Sequence, residues 1–83
     1  MIGPAQIRAA RGLLDINQTT LSEWASISAA TLKRIEGSSE IRGAADTLWK
    51  IQKALEAAGV EFIPEEDGKG AGVWLKQSRD RRS

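Results

Sequence analysis

Residues 17–37 of this 83-residue chain, NQTTLSEWASISAATLKRIEG, constrain its fold more than any other stretch. Asn17 is a strong helix N-cap, because its side-chain oxygen can accept one of the unpaired backbone N–H groups of a first turn. Leu21 and Ala25, four residues apart, place apolar groups on one face of a helix over residues 18–25. Ser26-Ile27-Ser28 interrupts that helix and supplies a second cap at Ser28. Thr31, Leu32 and Ile35 then recur at helical spacing, and Gly37 is expected to close the second helix in the left-handed conformation. Helices this short are marginal alone, because nucleation is costly. Flanking helices must bury their apolar faces and hold the pair in place.

The flanks carry the matching signals. Pro4 suits the first position of a helix, where its missing N–H costs little. Ile7, Ala10, Leu13 and Leu14 form that helix's inward stripe, with Arg8 and Arg11 free to reach solvent or the helix pair. Ile16 precedes the Asn17 cap as an apolar staple. A polar loop follows Gly37. Asp46, or a residue just before it, can cap a further helix that buries Leu48, Ile51, Leu55 and Ala58 and stops at Gly59. Trp49 falls off that stripe, and Trp24 stands where a polar residue would be ordinary.

Beyond Gly59 the pattern changes from helical to alternating. Residues 60–63 read as a short strand stopped by Pro64, and residues 65–70 as an acidic, glycine-rich turn. Residues 71–76 read as a second strand, with Val73 and Leu75 on one face and Trp74 on the other. The glycines at 68, 70 and 72 lack the Gly-Lys-Ser/Thr and the following helix of a phosphate-binding loop. The expected architecture is mainly α: a compact four- to five-helix domain over residues 1–59, a short C-terminal β-hairpin over 60–76, and a basic tail over 77–83.

Composition narrows the chemistry. There is no histidine and no cysteine, which removes Ser-His-Asp and Cys-His catalysis, disulfides, and imidazole or thiolate metal sites. Glu65, Glu66 and Asp67 could attract a hard cation, but on a turn they read as solvated charges. The serines and threonines have no candidate base beside them. Neither an enzyme nor a cofactor or metal is expected. No apolar run reaches membrane-spanning length and no secretory signature opens the chain, so the expected location is cytoplasmic. Net charge is only +1, yet it is uneven: +1 over residues 1–42, −3 over 43–75 and +3 from Lys76 onward. The tail is either a solvated end or an arm for DNA.

One pattern joins these signals. Gln18 opens the first helix of the pair, Leu21 and Ser22 lie at a tight crossing, Ile27 fills the turn, and Leu32, Ile35, Glu36 and Gly37 close the second helix. This resembles the helix-turn-helix of the lambdoid phage repressor/Cro family of small regulators, also called the xenobiotic-response-element family. Arg11 and Glu36 match that family's internal ion pair between its first helix and the end of its recognition helix. The resemblance covers about the first two-thirds of the chain and implies a lambda-repressor-like DNA-binding domain. It also implies a sequence-specific transcriptional regulator, a repressor or autoregulator, that binds a palindromic operator in double-stranded DNA as a homodimer.

On that implication the second helix of the pair enters the major groove. Asn17 and Gln18 sit where the family clamps a phosphate, and Ser28 positions the helix start. Ala29, Ala30 and Thr31 open that helix, where Ala30 and Thr31 can touch thymine methyls, although Thr31 is better read as packing against the first helix of the pair. Lys33 and Arg34 lie one turn further on, with Arg34 suited to a bidentate contact with guanine. Arg42, in the following loop, either meets a phosphate or is solvated. The family's usual turn glycine is Ser26 here, which costs roughly 1 kcal/mol if the residue is left-handed. Ala29-Ala30 replaces the usual polar opening of the recognition helix.

The strands would leave open edges and exposed Phe62, Ile63, Val73 and Trp74 in a monomer, so the hairpin needs a surface. A second copy, met through these four side chains, is the expected one; the chain's own helices are the alternative. A different reading also follows from Ala29-Ala30, the low net charge, Trp24 and Trp49. It is a helix-turn-helix that binds another regulatory protein, as an antiactivator does, with weak or no DNA binding.

Overall fold

The computed structural model describes residues 2–38, 45–66 and 68–76. Among them, four helices precede one antiparallel pair of strands: α1 (Pro4–Leu14), α2 (Gln18–Ala25), α3 (Ala29–Glu36), α4 (Ala45–Ala57), β1 (Val60–Ile63) and β2 (Gly72–Leu75). Arg42 and the tail over 77–83 lie outside the described residues.

The helix ends have identifiable causes. α1 begins at Pro4, and the Gln6 side chain accepts the Gly3 N–H at 3.0 Å. α1 and α2 both close on a left-handed residue, Asp15 at φ 58° and Ser26 at φ 59°. In each case two successive amides turn back onto the last carbonyls. Asp15 donates to Gly12 at 3.2 Å and Ile16 to Arg11 at 3.1 Å; Ser26 donates to Glu23 at 3.2 Å and Ile27 to Ser22 at 3.0 Å. These bonds satisfy carbonyls that the helix leaves orphaned, and they offset the left-handed cost of about 1–2 kcal/mol.

Gly37 departs from its expected conformation. It is right-handed, at φ −80° and ψ −5°, because its N–H continues the helical pattern to the Lys33 carbonyl at 3.0 Å. Glycine serves space there, since a Cβ would lie 3.2 Å from that same carbonyl oxygen. The left-handed glycine stop occurs instead at Gly59, φ 103°, after α4. Asp46 also shifts role. α4 starts at Ala45, so Asp46 sits inside the first turn, where a carboxylate favours the positive end of the helix.

α2 packs against both α3 and α4, α1 against α3 and β2, and α4 against β1. Ile7, Ala10, Leu21, Leu32, Ile51, Leu55 and Val60 are fully enclosed, and Ile35 and Leu48 nearly so, in one core cluster. Leu13, expected in the α1 stripe, is on the surface. At about 100° per residue, Leu14 returns to within roughly 20° of Ile7, whereas Leu13 lies about 120° away. Leu14 is the residue packed against the core.

β1 and β2 pair with Val60 opposite Leu75, Glu61 opposite Trp74, Phe62 opposite Val73 and Ile63 opposite Gly72. Val60 is buried, and Phe62, Val73 and Leu75 are half-buried against the core. Phe62 and Val73 are thus partly covered by the chain's own core and Ile63 is half-buried, which corrects the expectation that they stand exposed in a monomer. The cause is a polar tether as well as packing. Gln6 on α1 donates its amide to the Gly72 carbonyl at 3.1 Å and the Ile63 carbonyl at 3.4 Å. Trp74 stays outside, its indole N–H donating to the Glu61 carboxylate across the sheet.

Losing this tether should be measurable. Gln6→Leu is expected to cost about 1–2 kcal/mol of unfolding free energy, since two carbonyls lose a donor. It should also speed amide exchange in residues 60–63 and 72–75. Unchanged exchange at the hairpin would show that packing alone holds it.

Candidate nucleic-acid interface

The α2–α3 pair presents one face inward and one outward, and the caps decide where α3 begins. Asn17 accepts the Thr20 N–H at 2.8 Å, which starts α2 at Gln18. Ser28 accepts the Thr31 N–H at 3.0 Å, which starts α3 at Ala29. The same Ser28 hydroxyl donates to the Thr31 hydroxyl at 2.8 Å. Between the two helices, left-handed Ser26 and half-buried Ile27 redirect the chain within three residues.

From there the helical repeat sorts the side chains. Leu32, Ile35 and Glu36 go into the protein, while Ser28, Ala29, Ala30, Lys33 and Arg34 are exposed and Thr31 is half-buried. Ala29 and Lys33 are four residues apart, as are Ala30 and Arg34, so each methyl sits one turn before a cation on the same face. Neither Lys33 nor Arg34 pairs with a carboxylate among the described residues. The outer surface of α3 is therefore apolar at its first turn and cationic at its second.

The far end of α3 is anchored by charge. Glu36 is only 2% exposed. Arg11 grips it with two parallel bonds, Nε to Oε2 at 2.8 Å and Nη2 to Oε1 at 2.7 Å. Gln18 adds a third, donating its amide to Oε1 at 3.1 Å. The hydrogen bonds to Glu36 raise the Arg11 pKa above the usual guanidinium value, against the opposing effect of burial and with further help from the carboxylate charge. Arg8, one turn earlier on α1, donates to the Glu36 backbone carbonyl. Two cations thus meet the negative end of the α3 dipole.

The sequence-derived positions divide accordingly. Ser28, Ala29, Ala30, Lys33 and Arg34 come together on one exposed surface, with Asn17 exposed at the start of α2. Gln18 is half-buried and spends its amide on Glu36. Thr31, half-buried, accepts the Ser28 hydroxyl through its own side-chain oxygen. Arg8 reaches the helix pair, one of the two directions its place on α1 allowed; the role of Gln6 escaped the sequence reading, although a glutamine three residues after the Gly3 cap was an available signal. Among the described residues no group of acidic side chains is placed to hold a metal ion, and no helix is long and apolar enough to cross a membrane.

The Asn17 cap can be tested directly. Asn17→Ala should lower unfolding free energy by about 1 kcal/mol, because the Thr20 amide loses its acceptor. An unchanged melting temperature would mean that water replaces the cap at no cost.

A scan against protein-family models gives no match for this chain, and comparison with curated proteins gives none either.

Proposed function

We propose that the chain is a sequence-specific DNA-binding regulator of transcription that uses α2 and α3 as a helix-turn-helix. The observation that carries this reading is the outer surface of α3. A short helix capped at Ser28 and locked through Glu36 leaves Ala29, Ala30, Lys33 and Arg34 uncovered, with both cations unpaired among the described residues. Such a helix fits the major groove, where phosphate contacts position a protein and base-edge contacts specify the sequence. Asn17 and the first turn of α2 would approach the backbone, as the resemblance to phage repressors implies. Arg42 is a further candidate phosphate contact under that resemblance. The proposed outcome is repression or autoregulation in the cytoplasm.

One short helix offers few base contacts, so a two-fold dimer reading half-sites about one helical turn apart would supply the discrimination. Trp74, 54% exposed on the outer face of the hairpin, supports a contact there. Phe62, Ile63 and Val73 retain only partial exposure for it. Sedimentation of the intact protein at micromolar concentration should give a dimer that Trp74→Ser weakens. A monomer would overturn this part of the proposal.

A gel shift against the DNA upstream of the protein's own coding sequence, beside random DNA of equal length and at two salt concentrations, tests the main reading. Preference for the upstream DNA that persists at higher salt supports it. Equal affinities that collapse together with salt would leave only nonspecific attraction. Trp24 and Trp49, 47% and 56% exposed, favour a second reading as a protein-interaction module. That reading expects no DNA preference at all.

A further inference from the structure

The start of α1 and the hairpin bound an open cavity of about 650 Å³, a size that suits a small organic ligand. Ile2, Pro4, Ala5, Phe62, Pro64 and Ala71 give it apolar surface. Its walls are fixed before any ligand arrives. The Gln6 amide, which also lines the cavity, ties α1 to the Ile63 and Gly72 carbonyls of the hairpin. Two charged side chains complete the lining, Arg8 from α1 and Glu65 from the chain just past β1. Both are exposed, and neither forms an ion pair among the described residues.

Arg8 donates through Nη1 to the Glu36 backbone carbonyl at the end of α3. A guanidinium carries several N–H donors in a fixed fork, and that bond occupies one of them. A carboxylate matches the fork in shape, and its charge-assisted bonds are roughly twice as strong as those to a neutral acceptor. A second anionic group on the same ligand would meet Glu65. We infer that this cavity binds a small monocarboxylate with an apolar body, its acid group held by Arg8 and its body against Ile2, Pro4 and Phe62. Arg8 then bridges the ligand and the Glu36 carbonyl, so one side chain joins the cavity to the end of α3. Such binding needs no nucleic acid, and DNA recognition can fail while this site stands.

The test follows the backbone amide resonances of the intact chain as phenylbutyrate is added. The expected result is a saturable response at Ile2, Ala5, Phe62 and Ala71, extending to Gly37 through Arg8. Phenylbutyramide, of the same shape but without the charge, should bind about tenfold more weakly. Arg8→Gln should bring the acid down to the affinity of the amide and remove the response at Gly37. Ala5→Phe, at an exposed position of α1 that lines the cavity, keeps Arg8 and should block both compounds by filling the space. Equal affinity for acid and amide would overturn the role of Arg8. Preference for phenylbutylamine would move recognition to Glu65 and overturn the ligand class. A response that never saturates, or that survives Ala5→Phe, would overturn the site itself.

Discussion

An Arg11→Ala variant is expected to lose roughly 2–3 kcal/mol of unfolding free energy, between the 3–5 kcal/mol of a broken buried pair and the 0–1 kcal/mol of a surface one. The intermediate value follows from geometry. The Glu36 side chain is 2% exposed and that of Arg11 22%, so deleting the cation leaves an enclosed carboxylate with only the Gln18 amide beside it. In a domain of ordinary marginal stability that is a large fraction of the total. Glu36→Ala should be costly too, and the double variant less so than the two losses added. A double-mutant cycle measured by urea unfolding should give a coupling of at least 1 kcal/mol. Zero coupling would mean that α3 is held by its apolar contacts alone.

Arg34→Ala should do the opposite: leave stability within about 0.5 kcal/mol, as for an exposed side chain, and weaken DNA binding. For a bidentate contact to guanine, affinity for the preferred site should fall by roughly 1–3 kcal/mol with little change on random DNA. Competition binding against both DNAs measures the two effects together. An equal loss on both would reassign Arg34 to the phosphate backbone. The contrast with Arg11 lies in burial: one guanidinium is tied to a carboxylate, the other is exposed on the outer surface of α3.

Much of this arrangement is written locally. α2 spans Gln18–Ala25 as its cap and its Leu21/Ala25 spacing predict, and α3 follows Ser28 by one residue. The Arg11–Glu36 pair was also foreseen, though from a family resemblance rather than from spacing. Alternation in the second strand placed Trp74 opposite Val73 and Leu75, as found. What escaped reading depends on residues far apart in sequence. The Gln6 amide meets a carbonyl 66 residues away, and no local pattern encodes that approach. The half-burial of Phe62 and Val73 against the core is likewise a contact between distant parts of the chain. Gly37 misled for a different reason. A glycine after a helix marks either a left-handed turn or a tight space, and only the backbone path decides between them.

The Glu36 carboxylate draws three helices to one point. Arg11 comes from α1, Gln18 from α2, and the acid itself closes α3, while Arg8 holds the carbonyl of the same residue. No one of these helices can fray at that end without stripping hydrogen bonds from the others. α1, α2 and α3 should therefore open and close as a single cooperative unit, with the hairpin attached to it through Gln6. The surface offered by Ala29, Ala30, Lys33 and Arg34 is consequently presented whole or not at all, and its order before any encounter spares the partner the entropy of arranging it.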